Sequence, residues 1–198
     1  IGGDSGKDKI YGGAGKDTVL AGSGNDVLYG QSGNDKLCGE GGNDKIYGGA
    51  GNDSIEGGSG KDKIYAGKGK DTVHGGAGND IIYGQYGNNT LNGNAGNDKI
   101  YGGAGNDLID GGAGNDTIYG QYGYNTIYGD AGNDRIYDGK GKDKIYGGAG
   151  SDRIYLKKSA GNTVFTESGS DIVYVNTKSN TINTGTGKDT VVFNKTKK

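Results

Sequence analysis

Gly75-Gly76-Ala77-Gly78-Asn79-Asp80-Ile81-Ile82-Tyr83 decides how the whole chain reads. The same nine-residue pattern, started at Gly3, runs through seventeen consecutive units without a gap and ends at Tyr155. Its fourth position is Gly in all seventeen, and its eighth is Ile, Val or Leu in all seventeen, from Ile10 to Ile154. The sixth is Asp in fifteen, with Asn89 and Asn125 in the other two. The first is Gly in fourteen, with Ala21, Ala66 and Asp138 as exceptions. A fixed short period of this kind is the signature of a solenoid. Beyond Tyr155 the pattern loosens: residues 156–165 are one longer, three looser units reach Val192, and a lysine-rich tail follows. The reading divides the chain into a regular repeat, 1–155, and a degenerate stretch, 156–198, expected to cap the rod, since an open coil leaves strand edges unpaired. Ile1 enters in mid-pattern, so the chain reads as a piece of a longer protein.

Composition excludes collagen, an ordinary globular domain, a membrane span and a disulfide scaffold. Glycine accounts for 47 of 198 residues, and there is no Pro, Met or Trp. Collagen needs Gly at every third position and abundant Pro. With 30% hydrophobic residues and two Phe, an ordinary globular core is out of reach. No apolar run approaches the ~20 residues of a membrane span. A single Cys rules out a disulfide scaffold and a thiolate zinc site. A flexible Gly/Asn/Asp spacer would have no use for an aliphatic residue at one fixed place in every unit.

Each unit reads as six turn residues followed by a three-residue strand such as Lys45-Ile46-Tyr47. Side chains alternate across a strand, so the aliphatic eighth position faces inward and the seventh and ninth face out. Two units make an 18-residue coil. Stacked coils give two parallel sheets around a thin aliphatic core, and eleven coils at roughly 4.8 Å make a rod about 50 Å long.

Stacking brings the Asp of units i and i+2 together. Carboxylates ~4–5 Å apart repel by several kcal/mol where water is partly excluded, so a cation is expected between them. Glycine turns also leave inward carbonyls. Carboxylate and carbonyl oxygens in a flexible cage suit Ca²⁺ better than Mg²⁺. The lack of imidazole and thiolate clusters argues against zinc and copper. One edge carries Asp8, Asp26, Asp44, Asp62, Asp80, Asp98, Asp116, Asp134 and Asp152, continued by Asp171 and Asp189. The other carries Asp17, Asp35, Asp53 and Asp71, then Asn89, Asp107, Asn125, Asp143, Asn162 and Asn180. Within the regular repeat this gives eight Asp–Asp pairs on one edge and three on the other, hence about eleven full sites.

The unit resembles the repeats-in-toxin (RTX) nonapeptide, GGxGxDxUx, a calcium-binding β-helix repeat. The likeness is tight over 3–155 and loose over 166–192. It implies an all-β, right-handed parallel β-roll, a two-sheet parallel β-solenoid of 18 residues per coil. It also implies a ligand set. Each ion takes the carbonyls of positions two and four and the Asp of one turn, with the carbonyls of positions one and three and the Asp of the turn 18 residues on. One such site is Gly13, Gly15 and Asp17 with Gly30, Ser32 and Asp35. Carbonyl ligands at position four are then Gly6, Gly15, Gly24, Gly33, Gly42, Gly51, Gly78, Gly96, Gly114 and Gly132.

The two faces differ. Every odd unit ends in Tyr, from Tyr11 and Tyr29 through Tyr47, Tyr65, Tyr83, Tyr101, Tyr119 and Tyr137 to Tyr155, with Tyr174 beyond. Beside them stand Lys9, Lys45, Lys63, Lys99, Arg135 and Arg153. Stacked Tyr stabilises neighbouring strands. The same row, Tyr47 to Tyr119 above all, is a candidate partner surface for an acidic surface glycan or lipopolysaccharide. Tyr86, Tyr122 and Tyr124 lie in the two Asn turns and are expected to cover gaps left by missing ions. Cys38 and His74 read as lone outward residues without a catalytic partner, and GxGxxG phosphate chemistry fails because a strand, not a helix, follows each Gly-rich turn.

No catalytic residue is expected, and no nucleic-acid or membrane-spanning role. The resemblance implies a bacterial protein exported by type I secretion machinery, folding outside the cell when it meets calcium. A structural rod, as in an adhesin or surface layer, and the targeting domain of a secreted metalloprotease, lipase or pore former are the two readings of its context.

Overall fold

The computed structural model describes residues 1–157, 160–177 and 179–193. The lysine-rich tail from residue 194 on lies outside them. All regular structure among the described residues is β. Strands of the odd units pair in parallel into one eleven-stranded sheet, from Lys9–Ala14 through Ile81–Tyr86 to Thr190–Phe193. Strands of the even units form the second, from Thr18–Leu20 to Thr181–Asn183, with Thr186–Gly187 pairing Thr163–Gly169. The chain alternates between sheets at every unit, which is the two-sheet β-solenoid that the period demands.

Register is 18 residues: Lys45, Ile46 and Tyr47 pair with Lys63, Ile64 and Tyr65. Across the longer segment 156–165 it becomes 19, with Lys144 opposite Thr163 and Arg153 opposite Ile172. The extra residue is absorbed between strands, so the inward aliphatic stays inward. Every eighth-position side chain of the regular repeat is buried, and most are wholly so, as Ile46, Ile82, Ile100 and Ile136 are. Burying one such side chain contributes roughly 1.5–3 kcal/mol.

Many strands are longer than the three residues read from the pattern. Eleven of the seventeen in the regular repeat run six, as in Lys45–Ala50 and Thr90–Ala95, while others such as Lys99–Tyr101 keep to three. Pairing continues around the corner because the second turn position takes a positive φ in register from coil to coil: Gly13 lies opposite Gln31, and Ala14 opposite Ser32. The fourth position is stricter. Gly78 has a φ of 139°, and a Cβ there would collide with the carbonyl oxygen of Gly60 in the coil below. That double demand explains why Gly never varies there.

Cys38 also departs from the reading. It lies on the outward side of its strand but is buried, between Leu20 and Glu56 on the neighbouring strands.

Candidate metal centre

The sixth-position side chains form two columns, one at each edge, aspartate throughout on one and interrupted by Asn89 and Asn125 on the other. Each uses one oxygen as a rung. The backbone N–H of Asp80 donates to Oδ1 of Asp98 at 2.7 Å, and that of Asp98 to Oδ1 of Asp116 at 2.7 Å. On the other edge the Asp17, Asp35 and Asp53 amides donate to Asp35, Asp53 and Asp71 at 2.8–2.9 Å. Asp171 reaches Asp189 in the same way at 3.0 Å.

The second oxygen has no such partner. Oδ2 is buried and without a hydrogen bond in Asp8, Asp17, Asp26, Asp35, Asp44, Asp53, Asp62 and Asp71, and again in Asp80, Asp98, Asp107, Asp116, Asp134, Asp143, Asp152 and Asp171. A buried unpaired carboxylate oxygen costs free energy, and a repeated column of them calls for a common counter-charge. The space is there. A Cβ added to Gly75 would sit 2.6 Å from Oδ2 of Asp80 and 2.8 Å from the carbonyl oxygen of Gly93 in the next coil. The same pocket recurs at Gly111, with Asp116 Oδ2 at 2.6 Å and the Gly129 carbonyl at 2.9 Å. First-position glycine therefore leaves open a small oxygen-lined cradle between coils.

Electrostatics agree. Burial, with like charge from the neighbouring aspartates, pushes the carboxyls of Asp62 and Asp98 up to about 7 against the pull of their backbone hydrogen bonds. Asp134 also rises to about 7 and Asp44 to about 6, with burial as the first cause. Without a cation these columns resist ionisation, as desolvated like charges must.

Asparagine shows what fills the cradle when the carboxylate is gone. Asn89 Nδ2 donates to the carbonyls of Gly84 at 3.1 Å and Gly87 at 3.3 Å, the first and fourth positions of its own turn. Asn125 Nδ2 donates to Gly120 at 3.0 Å. The amide nitrogen occupies the place of a positive group between these oxygens. Tyr86, Tyr122 and Tyr124, in the same turns, are exposed.

The ten fourth-position glycines named above all hold the left-handed φ that turns the carbonyl-bearing corner. Of the third-position carbonyls, Ser32 already accepts the Gly15 N–H at 2.8 Å and keeps one lone pair. Among the described residues no three His, Cys, Asp or Glu side chains converge. A cation here would have two carboxylates and a majority of backbone oxygens, the donor set of Ca²⁺.

This arrangement matches the RTX calcium-binding nonapeptide repeat over residues 2–154, in eight segments, and again over 165–194. The chain belongs to that family. No curated protein matches it. The repeats of this RTX chain are therefore calcium-binding repeats wound into a β-roll.

Two features were not read from the sequence. Fifth-position Asn forms a further ladder on each edge: Asn25 Oδ1 accepts the N–H of Asn43 at 2.7 Å, and Asn34 Oδ1 that of Asn52 at 2.8 Å. It runs in the opposite sense to the Asp ladder, from each coil to the one before. The frequent Asn at that position was the available signal. Asp138, at a first position, is buried, and its Oδ2 accepts Asn162 Nδ2 at 3.2 Å. A carboxylate where Gly is the rule was its signal.

On the outer face of the odd sheet the tyrosines stack continuously. Tyr47, Tyr65, Tyr83, Tyr101 and Tyr119 have successive centroids 4.8–4.9 Å apart and planes within 7°. Their ring faces cover one another, so only edges and hydroxyls face solvent. Lys45 Nζ lies 5.2 Å from the Tyr47 centroid and Lys63 Nζ 5.5 Å from that of Tyr65. Hydrogen bonds to those tyrosines raise both ammonium groups above the ordinary lysine value.

Proposed function

We propose that this β-roll is a noncatalytic, calcium-folded module of a secreted bacterial protein, serving as a structural rod at or outside the cell surface. The observation that carries the reading is the column of buried, unpartnered Oδ2 atoms on both edges. The Asp pairs named above would hold the ions, with the fourth-position carbonyls among their ligands, about eleven in all. Calcium would supply the counter-charge, while the chain's own residues set the spacing and exclude water. The logic suits export. Weak extracellular-type sites, ~10⁻⁴–10⁻³ M, stay empty in the cytosol, leaving a threadable chain, and fill outside.

The ladder face is the proposed meeting point for an acidic surface glycan or lipopolysaccharide. The bare chain has a formal charge of -2, and about eleven bound ions would carry it to about +20. With the ring faces closed, contact there would rest on ammonium groups and phenol hydroxyls rather than stacking. Circular dichroism during a Ca²⁺ titration of chelated protein tests the reading: a cooperative coil-to-β transition is expected between sub-millimolar and millimolar calcium. A β-spectrum in excess chelator, or equal folding by Mg²⁺, would refute it.

A further inference from the structure

Five successive even coils vary symmetrically about Gly102–Asp110. Their third turn positions read Lys68, Tyr86, Ala104, Tyr122, Lys140. Their second positions read Gly67, Gln85, Gly103, Gln121, Gly139. Backbone pairing sets these residues on consecutive rungs: Lys68 against Tyr86, Tyr86 against Ala104, Ala104 against Tyr122, and Tyr122 against Lys140. Tyr86 and Tyr122 therefore stand two rungs apart, roughly 9.6 Å, with only a methyl group between them. A cavity of about 270 Å³ opens over Ala104, lined by both tyrosines, by Gln85 and Gln121, and by Tyr83 and Tyr101 of the ladder.

The two rings differ from those of the ladder. They are 59% and 54% exposed and, among the described residues, have no aromatic neighbour stacked on them, whereas ladder rings close each other off. Lys140 Nζ sits 5.2 Å from the Tyr122 centroid, on the rung away from the cavity, which leaves the opposite face for the slot. The calcium column gives no reason for tyrosine here, since the amides of Asn89 and Asn125 already satisfy the turn carbonyls.

We propose that this slot is a binding site for one hexopyranose unit of a β-linked glycan, held between Tyr86 and Tyr122. With carbon contacts at about 3.5–4.0 Å, a planar aromatic guest is too thin to touch side chains carried on rungs roughly 9.6 Å apart. A puckered pyranose with axial C–H bonds on both faces fills that gap. A β-hexopyranose with equatorial hydroxyls presents apolar C–H groups to both rings and its hydroxyls around the rim. There the amides of Gln85 and Gln121 and the phenols of Tyr83 and Tyr101 supply donors and acceptors. Lys68 and Lys140 bracket the slot, so a chain running along the rod meets an ammonium on either side. The site rests on the calcium-folded reading, because stacked coils create it.

Isothermal titration calorimetry of the calcium-loaded chain with cellohexaose and chitohexaose tests it, with circular dichroism in parallel. One binding event per chain is expected for at least one of the two. Tyr86→Ala and Tyr122→Ala should each weaken it about tenfold, with an unchanged calcium transition. Tyr124→Ala, close by but outside the slot, should bind as the parent does. A folded chain that gives no heat with either oligosaccharide overturns the proposal. So does binding that survives Tyr86→Ala and Tyr122→Ala combined, or binding of maltohexaose alone. Heparin binding that salt abolishes and the tyrosine variants leave unchanged, with no binding of the neutral probes, assigns the face to charge and also overturns it. Loss of the circular dichroism transition itself would mark failure of the calcium reading instead.

Discussion

Along one edge of the rod an aspartate recurs in every coil from Asp8 to Asp189; along the other, Asn89, Asn125, Asn162 and Asn180 break the series. The backbone does not register the change. The Asp71 N–H donates to Asn89 Oδ1 at 2.9 Å, and the Asn89 N–H to Asp107 Oδ1 at 2.8 Å, as in an all-Asp column. What changes is the other terminal atom. Aspartate turns a bare oxygen into the cradle and needs a cation. Asparagine turns an N–H donor into it and brings its own partial positive charge. One edge depends wholly on an external ion, and the other, after four aspartates from Asp17 to Asp71, alternates self-sufficient and dependent rungs from Asn89 to Asn162.

Substitutions at Asp98 break the comparison most sharply. Asp98→Ala removes both the ligand and the acceptor for the Asp80 N–H, leaving a buried donor unpaired. A loss of about 1–3 kcal/mol is expected from that donor alone, read as a lower melting temperature in saturating calcium. Asp98→Asn should cost much less, because its amide can bond the turn carbonyls as Asn89 does. It should lower the bound-ion count by about two, measured by anomalous scattering, since Asp98 shares cradles with Asp80 and Asp116. The reverse swap, Asn89→Asp, should raise the count by completing pairs with Asp71 and Asp107. It should also make the middle of the even edge calcium-dependent. Equal occupancy along both edges in the parent would contradict both ion-count predictions.

The smallest effect is on pH. In the calcium-free β-roll, Asp62, Asp98 and Asp134 titrate near 7, well above an unfolded aspartate. A folded-state value raised in this way favours the fold below the unfolded value, and the advantage is lost as pH rises through the folded one. Chelated protein should therefore gain β-structure between pH 7 and pH 4, while calcium affinity falls over the same range. Circular dichroism in chelator at pH 7.5 and pH 5 checks the sign. The acid-induced gain should shrink in Asp98→Asn, which has one fewer buried carboxyl to protonate.

Much of this was legible because a period repeated seventeen times fixes what faces inward. The invariant aliphatic of Ile10 to Ile154 placed the core, and alternation then placed the tyrosines outside. The columns followed from stacking alone. Strand length was not legible, because pairing through the corner depends on a left-handed second position that Gln31 and Gln85 adopt as Gly49 does. Nor was the closure of the ladder. Tyr at every ninth odd position places the rings side by side, but only their tilt decides whether faces or edges meet solvent. The amide of Asn89 was missed for a related reason. Asn in an Asp column reads as a lost ligand until its nitrogen is found bonded to Gly84 and Gly87.

The side-chain ladders have a mechanical consequence. Each coil is tied only to its neighbours, by Asp rungs in one direction and Asn rungs in the other, so a pull on one end loads a single junction at a time. Peeling one 18-residue coil shortens the rod by about 5 Å while releasing roughly 60 Å of contour. Extension under force should then proceed in equal steps of one coil. Steps that open Asp–Asp junctions should weaken when calcium is withdrawn, and those that open at Asn89 or Asn125 should change least. The rod would act as a calcium-set shock absorber, with two places along its length where only one of the two edges depends on the ion.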